Sequence, residues 1–195
     1  MQAYAYEAFG GGAALLERFG RDGAEWRAYA SALKARFTDA FWIDDADGGY
    51  PAIALDAAKR PVDTVTSNLG HLLGTGVLTP EQSARVAELL VSPELDSGFG
   101  LRTLSTDSAG YWPLSYHGGS VWAHDTAIAV TGLAREGFGA EATALSRGLL
   151  AAAEGSATAC PSCTRAMRRS RCTLPFPTRR PAARRPGRRR RRSPC

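Results

Sequence analysis

Residues 111–135 read YWPLSYHGGSVWAHDTAIAVTGLAR, and the reading of this stretch decides the rest of the chain. It opens with Tyr111, Trp112, Pro113 and Tyr116, then passes through His117 and the paired glycines Gly118 and Gly119. Paired glycines give backbone freedom where Cβ atoms would clash. Ser120 is a good helix N-cap, so the sequence predicts a helix from there, with Trp122, His124 and Asp125 on its first turns. Ile128, Val130, Leu133 and Ala134 are its expected apolar face. A polar and aromatic cluster at a loop-to-helix junction is a common way to display a site. Spacing alone is equally compatible with a core helix whose first turn happens to be aromatic.

Charge divides the chain into two unlike parts. The formal net charge of +5 conceals 13 Arg, and no Lys, Asp or Glu, in residues 156–195. Removing those 13 from the 24 basic residues leaves 11 against 19 acidic ones, so residues 1–155 carry a net charge of −8. All four cysteines (Cys160, Cys163, Cys172, Cys195) also fall in the basic part. An acidic, cysteine-free body suits a reducing compartment, and a cytoplasmic location is expected. No stretch reaches the ~20 apolar residues of a membrane helix. Three scattered histidines without ligand spacing argue against zinc, and no cofactor is expected.

Outward from the central stretch, helical patterns dominate. Residues 2–19 are Ala-rich, with three glycines at 10–12 that either split a helix or mark a close contact. Residues 24–42 place Trp26, Tyr29, Ala30, Leu33, Phe37 and Phe41 at amphipathic spacing. DDADGG at 44–49 ends that helix, and Tyr50 to Leu55 suit a short extended segment. Pro61 and the β-branched residues that follow break any continuous helix. Ser67 or Asn68 then starts a short helix carrying His71, Leu72 and Leu73. Thr79-Pro80 starts another, with Val86, Leu89 and Leu90 inward. DSGFGLRTLS at 96–105 sets Arg102 among apolar neighbours in a glycine-punctuated loop, and residues 139–154 form the last helix. The expected class is all-α, roughly six helices with long glycine-rich loops; loops of such length usually carry function.

The segments MQAYAYEAF, YPAIALDAAKRPVDTVTSNLGHLLGTGVL, SGFGLRTLS and SYHGGSVWAHDTAIAVTGLAREGF together resemble the C-terminal catalytic region of bacterial glycogen-debranching, amylo-α-1,6-glucosidase-like enzymes. That family sits with the mannosylglycerate-hydrolase-like six-hairpin glycosidases. The resemblance spans residues 1–154, with the run from Tyr116 to Asp125 its most specific piece and Ala123 a departure where the family often has proline. It implies a partial (α/α)6 toroid around a sugar cleft and activity on α-glucosidic, glycogen-like oligosaccharides. It also implies that helices carrying the family's usual acid have no counterpart here, so the chain is expected to be an inactive fragment that exposes apolar faces and associates.

Sugar rings pack their apolar faces on aromatics and offer hydroxyls to polar groups. Trp112, Tyr116 and Trp122 are therefore candidate platforms, and His117, His124, Asp125 and Arg102 candidate hydrogen-bonding groups. Glycoside hydrolysis typically needs two carboxyl groups, and of the pair only Asp125 is a candidate here. Each has an ordinary alternative: a structural ion pair for Arg102, helix stabilisation for Asp125. His71 reads as a satisfied core histidine, and Asp56, Lys59 and Asp63 as a solvated polar loop.

The basic tail is expected to be disordered from residue 155 onward. Its single CxxC, Cys160 to Cys163, is weak evidence for a metal, and its arginines suggest a second function class, a basic-tailed nucleic-acid-binding protein. A shifted reading frame explains it better. With each codon begun on its third base, EGSATACPSCTRAM becomes EG-LGHRLPELYAGD and RRPAARRPGRRRRRSPC becomes PPPCRPQAWSAAAAVAL, both resembling the family at this point. The hypothesis is a frameshift near Gly155, removing the Glu that the resemblance offers as catalytic base; resequenced DNA with one intact frame through the polyarginine refutes it.

Overall fold

Ala-rich segments with three- and four-residue apolar spacing become five α-helices in the computed structural model, which describes residues 1–157. They are α1 (Gln2–Arg18), α2 (Ala24–Phe41), α3 (Pro80–Leu90), α4 (Ala123–Arg135) and α5 (Gly139–Ala157). Between α2 and α3 lie two antiparallel ribbons and a 3-10 segment, Ser67–His71. In the first ribbon β1 (Trp42–Ile43) pairs with β2 (Tyr50–Pro51), Trp42 opposite Pro51; in the second β3 (Ala54–Leu55) pairs with β4 (Pro61–Val62). The all-α expectation is corrected accordingly: the described residues are mostly helical, with small sheets. Aromatic and β-branched residues in this connection fit extended backbone, its prolines are tolerated because every strand of a two-stranded ribbon is an edge, and the Asp45 carboxylate shapes the first turn by accepting from the Asp47 and Gly49 amides at 2.9 and 2.6 Å.

α1 runs unbroken through Gly10–Gly12, and a Cβ at any of the three would meet nothing within 4 Å. Its contact with α2 lies elsewhere: Ala13 is fully buried, and a Cβ on Gly23 would come within 2.7 Å of the Ala13 carbonyl oxygen. Arg27 clamps the pair through Glu17. The apolar stripe expected of α2 is only half used, because among the described residues α1 covers one flank of it. Ala30 and Phe37 are buried, whereas Trp26 and Tyr29 stay exposed with the Phe9 ring 5.5 and 4.5 Å from theirs. Leu15 and Phe19 are exposed as well.

The main core gathers the 3-10 segment, α3, α4 and α5 around Leu73, Val86, Leu90, Leu101, Leu133 and Leu145. Thr79 caps α3 with a full capping box: its hydroxyl accepts from the Gln82 amide at 3.2 Å, and the Gln82 side chain accepts from the Thr79 amide at 3.0 Å. Close packing of α4 on the segment after Ser67 requires glycine at two places. A Cβ on Gly70 would sit 2.4 Å from the Ala129 Cβ, and one on Gly132 would sit 2.7 Å from the Leu73 Cβ. The buried face of α4 is consequently Asp125, Thr126, Ala129, Gly132 and Leu133. Ile128 and Ala134, expected inside, point outward. The helices thus form pairs in sequence, α1 with α2 and α4 with α5, without a closed ring of six among the described residues. α5 runs on through Gly155 to Ala157, past the expected boundary at 154. Disorder expected from residue 155 is thus not seen at 155–157, and the other expectations for the tail concern residues outside those described.

Candidate functional site

The loop of residues 103–122 and the first turn of α4 bring four of the candidate side chains together. Gly119 takes φ 147°, and its missing Cβ leaves room for the Tyr111 ring, whose carbon would lie only 2.5 Å away. The turn is closed by the Trp112 amide donating to the Gly118 carbonyl at 2.7 Å and the Gly119 amide donating to Thr103 Oγ1 at 2.9 Å. On this frame Tyr116 packs against Trp122 (centroids 4.4 Å) and His117 (4.6 Å), and His124 lies 5.0 Å from Trp122. Ser120 is not the helix cap: Trp122 occupies the N-cap position, without a side-chain cap bond. Ser120 instead fixes the cluster, donating to the Tyr116 carbonyl at 2.7 Å and accepting from Trp122 Nε1 at 3.1 Å. Tyr116, His117 and His124 are exposed and Trp122 is half-buried, so the rings form an open surface.

Asp125 turns the other way. It is 8 % exposed, and its carboxylate accepts from the Ser67 hydroxyl and from His71 Nε2. His71 Nδ1 in turn lies 2.5 Å from the Tyr4 hydroxyl. Because the Asp125 carboxylate only accepts, His71 Nε2 carries a proton toward it, and the Tyr4 hydroxyl bonds the other ring nitrogen. Burial works against the Asp125 charge, but the hydrogen bonds from His71 and Ser67 outweigh it, and its carboxyl is held below the usual range with further help from the charges of His71 and His124. Burial, then the charges of Asp125 and Glu7, push the Tyr4 hydroxyl upward. The chain Tyr4–His71–Asp125–Ser67 thereby ties α1, the 3-10 segment and α4 together.

The remaining candidates lie elsewhere. Arg102 donates to the Pro93 and Asp96 carbonyls at 3.0 and 2.7 Å, so it makes neither the expected ion pair nor a contact with the ring cluster. Its backbone bridges to Val121, which ties the 96–105 loop to the start of α4. Trp112 is 60 % exposed on the same loop as Tyr116. Asp56, Lys59 and Asp63 do not form one cluster. Asp56 closes the β3–β4 turn by accepting from Arg60 at 2.8 Å, whereas Asp63 accepts from the Tyr50 hydroxyl at 2.6 Å. That hydrogen bond, with burial and the nearby charges of Asp63 and Asp45, pushes Tyr50 up to about 12. Tyr4 and Ser67 escaped sequence reasoning; the available signal was that a carboxylate buried on α4 must find donors. Among the described residues no group of three His, Cys, Asp or Glu could hold a metal ion, and no helix is long and apolar enough to cross a membrane.

A family model described as the mannosylglycerate hydrolase MGH1-like glycoside hydrolase domain matches residues 1–159. The chain belongs to that family. No curated protein matches the sequence. A sugar ring packs its apolar face on aromatic side chains, and the exposed rings at 116–124 offer such a face, whereas Asp125 is buried behind them with both oxygens engaged.

Proposed function

We propose that this glycoside hydrolase domain receives α-glucosidic, glycogen-like oligosaccharides on the Tyr116–Trp122 surface. His117 and His124 bond hydroxyl groups there, and Trp112 extends the platform along the loop. The supporting observation is the Tyr116, His117, Trp122 and His124 cluster, open to solvent at the start of α4 and rigidified through Ser120. Arg102 serves by shaping the loop rather than by touching sugar.

Binding rather than hydrolysis is the activity assigned to the chain by itself. A general acid in glycoside hydrolysis needs a raised pKa, and Asp125 is held below the ordinary range with both oxygens engaged. Its role is to position His71, Ser67 and the first turn of α4. Calorimetric titration with maltotriose through maltohexaose tests the reading, with cellooligosaccharides as the linkage control. Maltooligosaccharides should bind and quench tryptophan fluorescence, and Trp122→Ala should weaken them on the order of ten-fold, equivalent to ~1.4 kcal/mol. Equal binding by Trp122→Ala, or a preference for cellooligosaccharides, overturns it.

A further inference from the structure

The three glycines in the middle of α1 serve no contact among the described residues. The helix runs unbroken from Gln2 to Arg18 through Gly10, Gly11 and Gly12. Glycine in a helix interior is destabilising relative to alanine, because it gives up the most backbone freedom and packs no side chain. Elsewhere in this fold glycine permits close approach: a Cβ on Gly70 or Gly132 would collide with the neighbouring element. At Gly10, Gly11 and Gly12 an added Cβ would meet nothing within 4 Å, and none of the three takes a left-handed backbone. They leave a flat stretch of helix that another backbone can approach.

This stretch is continuous with exposed apolar side chains. Ala8, Gly11, Gly12, Leu15 and Phe19 recur at the three- and four-residue spacing of a single helix face. The opposite side of α1 holds the buried Ala13 and meets α2. Ala8 and Gly11 are exposed, and Leu15 and Phe19 are 58 % and 74 % exposed. One charge of each sign flanks the face. Glu7 and Arg18 lie 11 residues apart in the sequence, and 11 residues make about three turns, so both sit on the same edge. Both are exposed. Among the described residues Arg18 forms no ion pair, and Glu7 forms one long contact, 3.7 Å from Arg135.

A second, antiparallel copy of α1 matches this pattern. With a two-fold axis passing between Gly12 and Ala13, Glu7 of each copy meets Arg18 of the other, and Gly11 faces Ala14. Leu15 then lies over Ala8 and Gly11 of the opposing helix. A parallel pair would instead set Glu7 against Glu7 and Arg18 against Arg18. Small residues at the crossing let the two axes approach to the ~8 Å end of the usual range.

We propose that α1 is a self-association surface, through which two copies of this chain pair antiparallel with glycine at the crossing and reciprocal Glu7–Arg18 bridges at its ends. The association through exposed apolar faces expected from the sequence thereby gains one face and one orientation. A two-fold contact of this kind is closed, so it stops at the dimer. A helix of 17 residues spans about 25 Å. One such face lies at the low end of specific interface sizes, and association in the micromolar range is expected.

Sedimentation equilibrium of the full chain tests this, at loadings across the micromolar range and in reducing buffer to keep the four cysteines from cross-linking copies. A reversible monomer–dimer equilibrium is expected. Glu7→Arg and Arg18→Glu should each weaken it ten-fold or more, because like charges then meet at both ends. Mixed in equal amounts, the two variant chains should pair with each other to within about three-fold of the parental affinity, since their charges are again complementary. Gly11→Gln has room in the monomer and a better helix propensity. It should raise the urea midpoint of the dilute chain while weakening the dimer ten-fold or more. A monomer at every loading, assembly beyond the dimer, association unchanged in Gly11→Gln or in either charge variant, or failure of the mixed variants to pair overturns the proposal.

Discussion

Replacing Asp125 tests whether the polar chain through α4 holds the fold together. Among the described residues its carboxylate is the acceptor for both Ser67 Oγ and His71 Nε2, and the side chains of Asp125 and His71 are 11 % and 21 % exposed. A hydrogen bond to a charged group contributes ~1.5–3 kcal/mol, and breaking a buried pair by removing one partner costs ~3–5 kcal/mol. Asp125→Ala should therefore destabilise by ~3–5 kcal/mol. Asp125→Asn, which keeps one acceptor oxygen but turns an NH2 toward the other donor, should cost ~1.5–3 kcal/mol. The pH dependence has a definite sign. The native carboxyl titrates below its ordinary value, whereas in the unfolded chain Asp titrates near ~3.9. Between those values the unfolded state binds more protons, so this group's stabilisation is complete above ~4 and is lost as pH falls through the native value. Urea unfolding at pH 7 gives the magnitudes, and the same measurement between about pH 6 and 2.5 gives the acid slope, which Asp125→Asn should make shallower. A cost below ~1 kcal/mol for Asp125→Ala, or an unchanged acid slope in Asp125→Asn, would refute the reasoning.

Substitutions at three further positions probe packing and capping. Gly132→Ala puts a Cβ 2.7 Å from both the Leu73 Cβ and its carbonyl oxygen, and should destabilise by ~1–3 kcal/mol despite better helix propensity; Gly11→Ala, with nothing within 4 Å, should stabilise by up to ~1 kcal/mol, both read as shifts in the urea midpoint. Thr79→Ala removes the side-chain half of the α3 capping box and should cost ~1 kcal/mol in the same assay, with Thr79→Ser close to the parent chain.

Local chemistry made much of the fold legible in the sequence. Thr79-Pro80 located the start of α3, because a capping hydroxyl and a proline at the first helical position act within a single turn. Apolar spacing, which also acts within a turn or two, located α2. Composition separated an acidic body from an arginine-rich tail, and the run from Tyr116 to Asp125 carried the glycosidase resemblance that the family match bears out at the level of the domain. Three matters were decided only by tertiary structure. The buried face of α4 is set by Gly70 and Gly132, which let two backbones approach where periodicity alone favoured Ile128 and Ala134. Arg102 was drawn to backbone carbonyls, because the 96–105 loop folds them around its guanidinium. Asp125 and His71 are 54 residues apart, and Tyr4 lies 67 residues before His71. No period in a sequence encodes such a pairing: a buried carboxylate states that it needs donors, and only the packing of α1, the 3-10 segment and α4 determines which side chains supply them.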